Sequence, residues 1–125
     1  MSEKIRLSAE DAMGRFIGHA CDYFLRGRRV DPDDVYEADE AKGVLSLIIW
    51  QTHSDGRREW TETSGAGRPW LTAAWGPVEI RLREDAGDER RAAYDALRQG
   101  RPEEAERIRR EWFAMALEEP SEGEK

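Results

Sequence analysis

The chain has 125 residues, a formal net charge of -7 and equal shares, 38% each, of hydrophobic and charged residues. This composition is typical of one globular domain that buries a core without disulfides or metals. The single cysteine, Cys21, excludes an internal disulfide and any two-cysteine metal or redox motif. The negative charge opposes direct binding to nucleic acid, because contacts to phosphates need a basic surface.

The first residues and the longest apolar stretch indicate where in the cell the protein is expected. Met1 is followed by Ser-Glu-Lys rather than by a basic segment and an apolar run, so the pattern of a secretory signal is not present. The longest apolar stretch, residues 44–50, is too short to cross a bilayer. We therefore expect a cytoplasmic protein with no membrane partner.

The first predicted element is a helix over about residues 9–26. Ser8, followed three residues later by Asp11, is a helix-capping signal. Apolar residues then recur at helical spacing: Met13, Phe16, Ile17, Ala20, Cys21 and Phe24. Gly14 and Gly18 lie four residues apart on this helix, which predicts that another backbone approaches it closely.

An acidic segment follows at residues 31–42, with six carboxylates against Lys42. Asp31-Pro32 is suited to the start of a short helix, and an ordered loop fits equally well. The segment does not match a calcium loop, because Tyr36 stands where the sharp turn needs glycine. We therefore predict no metal and no cofactor.

Residues 44–83 predict a meander of three to four antiparallel strands. Residues 44–50 are apolar on both faces, as in a central strand, and Asp55-Gly56 predicts a two-residue hairpin turn. Further strands are predicted at 59–63, 70–75 and 78–82, with Gly76-Pro77 as the turn that joins the last two.

Residues 88–118 predict a helical hairpin, interrupted by Gly100-Arg101-Pro102, and residues 119–125 a frayed tail. The expected fold is a single α+β domain over residues 1–125. In it, an N-terminal helix packs on the antiparallel meander, and the C-terminal αα-hairpin completes the core.

The favoured functional hypothesis is a non-catalytic protein-binding module that recognises a partner with a basic surface. The predicted partner-binding residues are Asp33, Asp34, Tyr36, Glu37, Asp39 and Glu40. Five tryptophans, more than a small core readily holds, also favour binding to a protein. In size and charge sign the chain is similar to phage-encoded inhibitors of restriction or CRISPR effectors. That resemblance implies carboxylates that take the place of phosphates in a basic groove.

Two alternatives stay open. One is a small-ligand binder or enzyme that uses the His53 and Arg58 end of the sheet, which a concave pocket would support. The other is a self-associating structural subunit, a homodimer whose Gly14 and Gly18 face packs against a second copy.

Overall fold

A computed structural model describes residues 2–60 and 69–122. The strands are β1 (Arg6–Ser8), β2 (Cys21–Leu25), β3 (Arg28–Val30), β4 (Val35–Asp39), β5 (Val44–Ile48), β6 (Trp50–Thr52), β7 (Arg58–Trp60), β8 (Leu71–Trp75) and β9 (Val78–Leu82). The helices are α1 (Ala12–Gly18), α2 (Asp88–Arg98) and α3 (Pro102–Glu122), and short 3₁₀ turns lie at Pro32–Asp34 and Glu84–Ala86. The predicted α+β class, the antiparallel pairing and the C-terminal helix pair are confirmed.

The described strands form three antiparallel sheets. The first has the order β1-β4-β5-β8, the second the order β3-β2-β9, and the third is the β6-β7 hairpin. A hairpin forms at Asp55-Gly56 as predicted, but its loop has three residues rather than two, since His53 N donates to Arg57 O at 2.8 Å and residues 54–56 lie between these two. The predicted turn at Gly76-Pro77 does not pair its two strands, because β8 pairs with β5 and β9 with β2.

The core lies where the two larger sheets meet the helices. Ile17 of α1, Leu45 of β5 and Ile80 of β9 are fully buried, and each such side chain stabilises the fold by about 1.5–3 kcal/mol. The whole buried cluster is Ile5, Leu7, Phe16, Ile17, Cys21, Tyr23, Ala38, Leu45, Ile80, Ala93, Ala96 and Ala105. Sequence-distant elements therefore share one apolar interior.

The N-terminal helix is shorter than predicted. It ends at Gly18, and residues 21–25 form strand β2 instead of two further helical turns. In this strand Cys21 and Tyr23 point into the core, while Phe24 lies on the other face beneath the Arg81 guanidinium, 4.7 Å from the ring centroid. The helix prediction is wrong for residues 19–26, because these apolar residues fit an alternating pattern as well as a helical one.

Gly14 confirms the predicted close approach of another backbone. A Cβ atom at Gly14 would lie 2.6 Å from Ser8 N and closer still to Ser8 O. The approaching backbone is thus β1 of the same chain. At Gly14 this surface of α1 is in contact with β1, and packing of a second copy against the helix stays a prediction.

The acidic segment is neither a regular helix nor a loop. After the 3₁₀ turn at Pro32–Asp34 the chain enters β4, an inner strand of the first sheet. Tyr36 and Ala38 of β4 are buried at alternating positions, which is the burial pattern that makes this stretch a strand. The short-helix and loop predictions are therefore wrong for residues 35–39.

Other predicted boundaries differ from the structure or lie partly outside the described residues. The strand predicted at 44–50 is divided at Ile49 into β5 and β6, and only residues 59–60 of the strand predicted at 59–63 lie within the described residues. Helix α3 continues to Glu122, so residues 119–122, predicted as part of the frayed tail, have a helical backbone. The last three residues of that tail, 123–125, lie outside the described part of the chain.

Glu40 joins both larger sheets to α2. Its carboxylate accepts hydrogen bonds from Ile5 N at 3.0 Å and from Ile80 N at 2.7 Å, and it pairs with both terminal nitrogens of Arg98 at 2.5 and 2.9 Å. Burial alone would raise the pKa of Glu40, but these hydrogen bonds outweigh it, so the pKa lies below its ordinary value. Arg98 also donates to the carbonyls of Glu3 and Ile80.

Cys21 is fully buried and hence chemically protected. Burial raises the pKa of its thiol to about 12, although the positive charges of Arg83 and Arg98 oppose this. We expect a thiol reagent at about pH 8 to label the folded protein far more slowly than the urea-unfolded chain, whose thiol pKa is about 8.5. Equal labelling rates in the two states would contradict this burial.

Candidate functional site

A pocket of about 240 Å³ opens between α1, the 3₁₀ turn at Pro32–Asp34 and the start of β6. We call it the Trp50 pocket. It is lined by Leu7, Ser8, Ala9, Gly14, Arg15, Gly18, His19, Tyr23, Pro32, Asp33, Val35, Tyr36, Ile48 and Trp50. Mostly apolar concave surfaces with a few polar groups are the usual form of a small-molecule site.

Trp50 is held in place by two side chains outside the pocket lining. Its indole Nε1–H donates to Asp34 Oδ1 at 2.9 Å, and the Arg58 guanidinium carbon lies 4.4 Å from the indole ring centroid. Arg58 Nη1 is also 3.3 Å from Asp34 Oδ1, so the two charges neutralise each other. Because a cation on the ring and an acceptor on the indole nitrogen fix its position, this wall of the pocket is preorganised.

Two tyrosines form deeper parts of the lining. Tyr23 and Tyr36 are both buried, and their hydroxyls donate to Gly18 O at 3.0 Å and to Glu10 Oε2 at 3.3 Å. Burial raises the pKa of Tyr23, so its phenol stays neutral at physiological pH. Together with the buried Leu7, these side chains form the buried part of the pocket lining.

Two opposite charges line the same pocket without pairing. Arg15 and Asp33 are both exposed residues, which places them at the pocket mouth. Arg15 Nη1 donates to Ala9 O at 3.0 Å, and in the described part of the chain no carboxylate lies within ion-pair distance of it. The Asp33 carboxylate makes no hydrogen bond or ion pair to any described residue, whereas its backbone N–H donates to Asp31 Oδ1. Among the described residues, neither charge therefore has a partner of opposite sign.

The six predicted partner-binding residues are separated by the structure. Asp33 and Tyr36 line the pocket, and Asp34 orients Trp50 behind it. Glu37 lies on β4 and pairs with Arg6 Nε of β1 at 2.9 Å. The predicted single acidic face is thus divided among different environments.

Two members of the predicted set are structural. Asp39 is buried and its Oδ1 accepts from Lys42 N at 3.0 Å, which stabilises the turn between β4 and β5. Glu40 is buried against Arg98 as described above. The rest of the chain already uses both carboxylates, and a partner contact at these two residues stays a prediction.

His53 and Arg58, the two residues of the small-ligand alternative, also lie in different surroundings. His53 Nε2 lies 2.6 Å from Glu59 Oε2 in the β6-β7 hairpin, and His53 is not part of the pocket lining. Arg58 supports the pocket through Trp50. Sequence reasoning missed Arg15, Tyr23 and Trp50 as site residues. An alternating reading of residues 21–25 would have placed Tyr23 on an inner sheet face.

An apolar surface lies along β8, away from the pocket. Trp70 and Trp75 are 50% and 60% exposed, and β8 is an edge strand of the first sheet among the described strands. Residues 69–78 contain no charged side chain, in a protein in which 38% of residues are charged. Large exposed aromatic residues on an edge strand are typical of protein-contact surfaces.

Comparisons with protein-family models, with curated proteins and with solved structures find no match. Within residues 2–60 and 69–122, no group of three or more histidine, cysteine, aspartate or glutamate side chains is placed to hold a metal ion. Nor does this part of the chain contain a helix long and apolar enough to span a membrane.

Proposed function

We propose that this protein is a binding module whose recognition site is the Trp50 pocket, and that the pocket takes a small molecule. The observation that carries the proposal is a preformed apolar interior with two opposite charges at its mouth, Asp33 and Arg15, neither of which forms an ion pair with a described residue. This corresponds to the small-ligand alternative, with Arg58 supporting the pocket and His53 outside it.

The test uses the indole N–H of Trp50 as a reporter. Trp50 lines the pocket while its indole N–H donates to Asp34 behind the lining, and a Trp50→Phe variant identifies the signal of this proton among the five tryptophan indoles in a ¹⁵N NMR spectrum. Amino acids, amines, carboxylic acids and neutral aromatic compounds of similar size are titrated one at a time. We expect at least one class to shift the Trp50 signal in a saturable manner.

A matched pair of variants shows whether the shift comes from the pocket. Ala9 is an exposed lining residue, so Ala9→Trp is expected to obstruct the pocket and abolish the saturable shift. Ala92 is exposed on α2, away from the pocket, and Ala92→Trp is expected to bind as the wild type does. If none of the four classes shifts the Trp50 indole, the proposal is wrong.

A second candidate is non-catalytic binding to a protein partner, which the exposed Trp70 and Trp75 favour. Exposed tryptophans contribute strongly to protein interfaces when a partner covers them. A basic partner would also meet Asp31 and Asp33, both of which are exposed. In the narrower, inhibitor form of this proposal, the partner's basic surface is one that otherwise holds nucleic acid.

A tagged pull-down at low and at high salt tests the second candidate. A basic partner is expected to dissociate from the wild type at high salt, because its attraction is electrostatic. For the same reason it is not expected to bind an Asp33→Lys variant. A partner bound through β8 is expected to be lost from Trp75→Ala but retained by Met115→Ala, which removes another exposed apolar side chain. Competition by added DNA would support the inhibitor form. Proteins captured equally by all of these variants would count against the candidate.

A further inference from the structure

We propose that the ligand of the Trp50 pocket is a single free amino acid with an apolar or aromatic side chain. This inference depends on the proposed small-ligand function and names its ligand class. In the proposed complex, Asp33 binds the α-ammonium group, Arg15 binds the α-carboxylate, and the side chain enters the pocket.

The charges at the mouth select a zwitterion. Asp33 and Arg15 line one pocket, have opposite charge and form no ion pair with each other. A ligand with only one charge would satisfy one of these groups and partly desolvate the other, which is unfavourable. An amino acid offers a charge-assisted hydrogen bond to each.

The division between mouth and interior selects the side chain. The mouth contains the exposed residues Arg15, His19 and Asp33, whereas the interior is formed by buried Leu7, Tyr23 and Tyr36. An amino acid has the same division, because its charged groups share one carbon and its side chain extends away from them. An apolar or aromatic side chain therefore matches the interior, and a charged one does not.

The size of the pocket limits the ligand to about one amino acid. Its volume of about 240 Å³ lies below the range of roughly 300–1,000 Å³ that is typical of drug-sized ligands. Phenylalanine and leucine are small enough for such a space, whereas a dinucleotide or a folded peptide is not. We therefore expect a free amino acid rather than a larger metabolite.

The experiment compares L-phenylalanine and L-leucine with analogues that lack one charge. Phenethylamine and isoamylamine lack the carboxylate, and 3-phenylpropionate and 4-methylpentanoate lack the ammonium group. Each compound is titrated into the full-length protein while the Trp50 indole signal is followed. We expect the amino acids to bind at least about tenfold more tightly than either class of analogue.

Two variants assign the roles of the charged residues. Asp33→Asn is expected to weaken binding of the amino acids and the amines but not of the carboxylates. Arg15→Gln is expected to weaken binding of the amino acids and the carboxylates but not of the amines. Asp88→Asn and Arg110→Gln make the same chemical changes at positions outside the pocket lining and should leave all affinities unchanged.

The outcomes separate this inference from the proposed function. If an amine, an acid or a neutral aromatic compound binds as tightly as the amino acids, the zwitterion assignment is wrong while the pocket remains a ligand site. If the amino acids bind best but both pocket variants bind them like wild type, the assigned roles of Asp33 and Arg15 are overturned. If no compound binds, both proposals fail.

Discussion

An Arg98→Leu variant is expected to lose about 3–5 kcal/mol of its free energy of unfolding, measured by urea denaturation. The substitution removes the cation that faces the buried Glu40 carboxylate, and it leaves that carboxylate with only two backbone donors. It also takes the guanidinium donors from the carbonyls of Glu3 and Ile80. Because the pair is shielded from water, the loss exceeds that from an exposed ion pair.

Arg107→Leu is the matched control for Arg98→Leu. Arg107 pairs with Glu104 and Glu111 on the exposed surface of α3. Water and salt screen such pairs, so this variant is expected to unfold at nearly the wild-type urea concentration. Equal losses in the two arginine variants would show that the Glu40–Arg98 pair has no special role in joining the sheets to α2.

Glu40 also makes stability depend on pH in a defined direction. The pKa of Glu40 in the folded protein lies below its ordinary value, whereas in the unfolded chain it returns to about 4.3. Its stabilising contribution is therefore complete above about pH 4.3 and is lost as the pH falls through the folded-state pKa.

A Glu40→Gln variant measures this contribution. The wild type is expected to be more stable than the variant at about pH 7, and the difference in unfolding free energy should shrink over the acidic range below about pH 4.3. The variant has no titrating group at this position, so subtracting its curve removes the effect of other carboxylates. A difference that stays constant over this range would contradict a lowered pKa for Glu40.

The buried ion pair shows what the sequence could not predict about the site. Glu40 stands in an acidic run and looks like its neighbours, but its partner Arg98 is 58 residues away along the chain. Nothing local distinguishes a carboxylate that a distant arginine will bury from one such as Asp33, which stays exposed. Charge patterning therefore located the acidic segment but not the carboxylates that remain at the surface.

Local signals were more informative about the fold. The Asp55-Gly56 hairpin and the interruption at Gly100-Arg101-Pro102 depend on backbone preferences of single residues, and both appear where predicted, although the hairpin loop has three residues rather than two. Strand β2 was missed because its apolar residues suit two periods, and its pairing with β3 on one side and with β9, more than 50 residues later, on the other decides between them. The Trp50 pocket could not be predicted for the same reason, since Tyr23 lines it only as a strand residue.

Gly14→Ala is expected to destabilise the protein by about 3 kcal/mol or more, at or beyond the upper end for overpacking. In an unconstrained helix this substitution would be favourable by about 1 kcal/mol, because alanine has the higher helix propensity. Here the added Cβ would lie 2.6 Å from Ser8 N and 2.7 Å from Ser8 C. These are backbone atoms of β1, which cannot rotate away as the end of a side chain can. Helix α1 would have to move away from the sheet and open the core around Ile17.

Gly18→Ala is the control, since it makes the same change in the same helix. Among the described residues, a Cβ at Gly18 would meet only the Tyr23 hydroxyl at 3.3 Å, the end of a side chain that can shift by a few tenths of an ångström. Gly18→Ala is therefore expected to unfold within about 1 kcal/mol of the wild type. If both variants are equally stable, β1 does not approach α1 as closely as described, and the floor of the Trp50 pocket, which both glycines line, must be arranged differently.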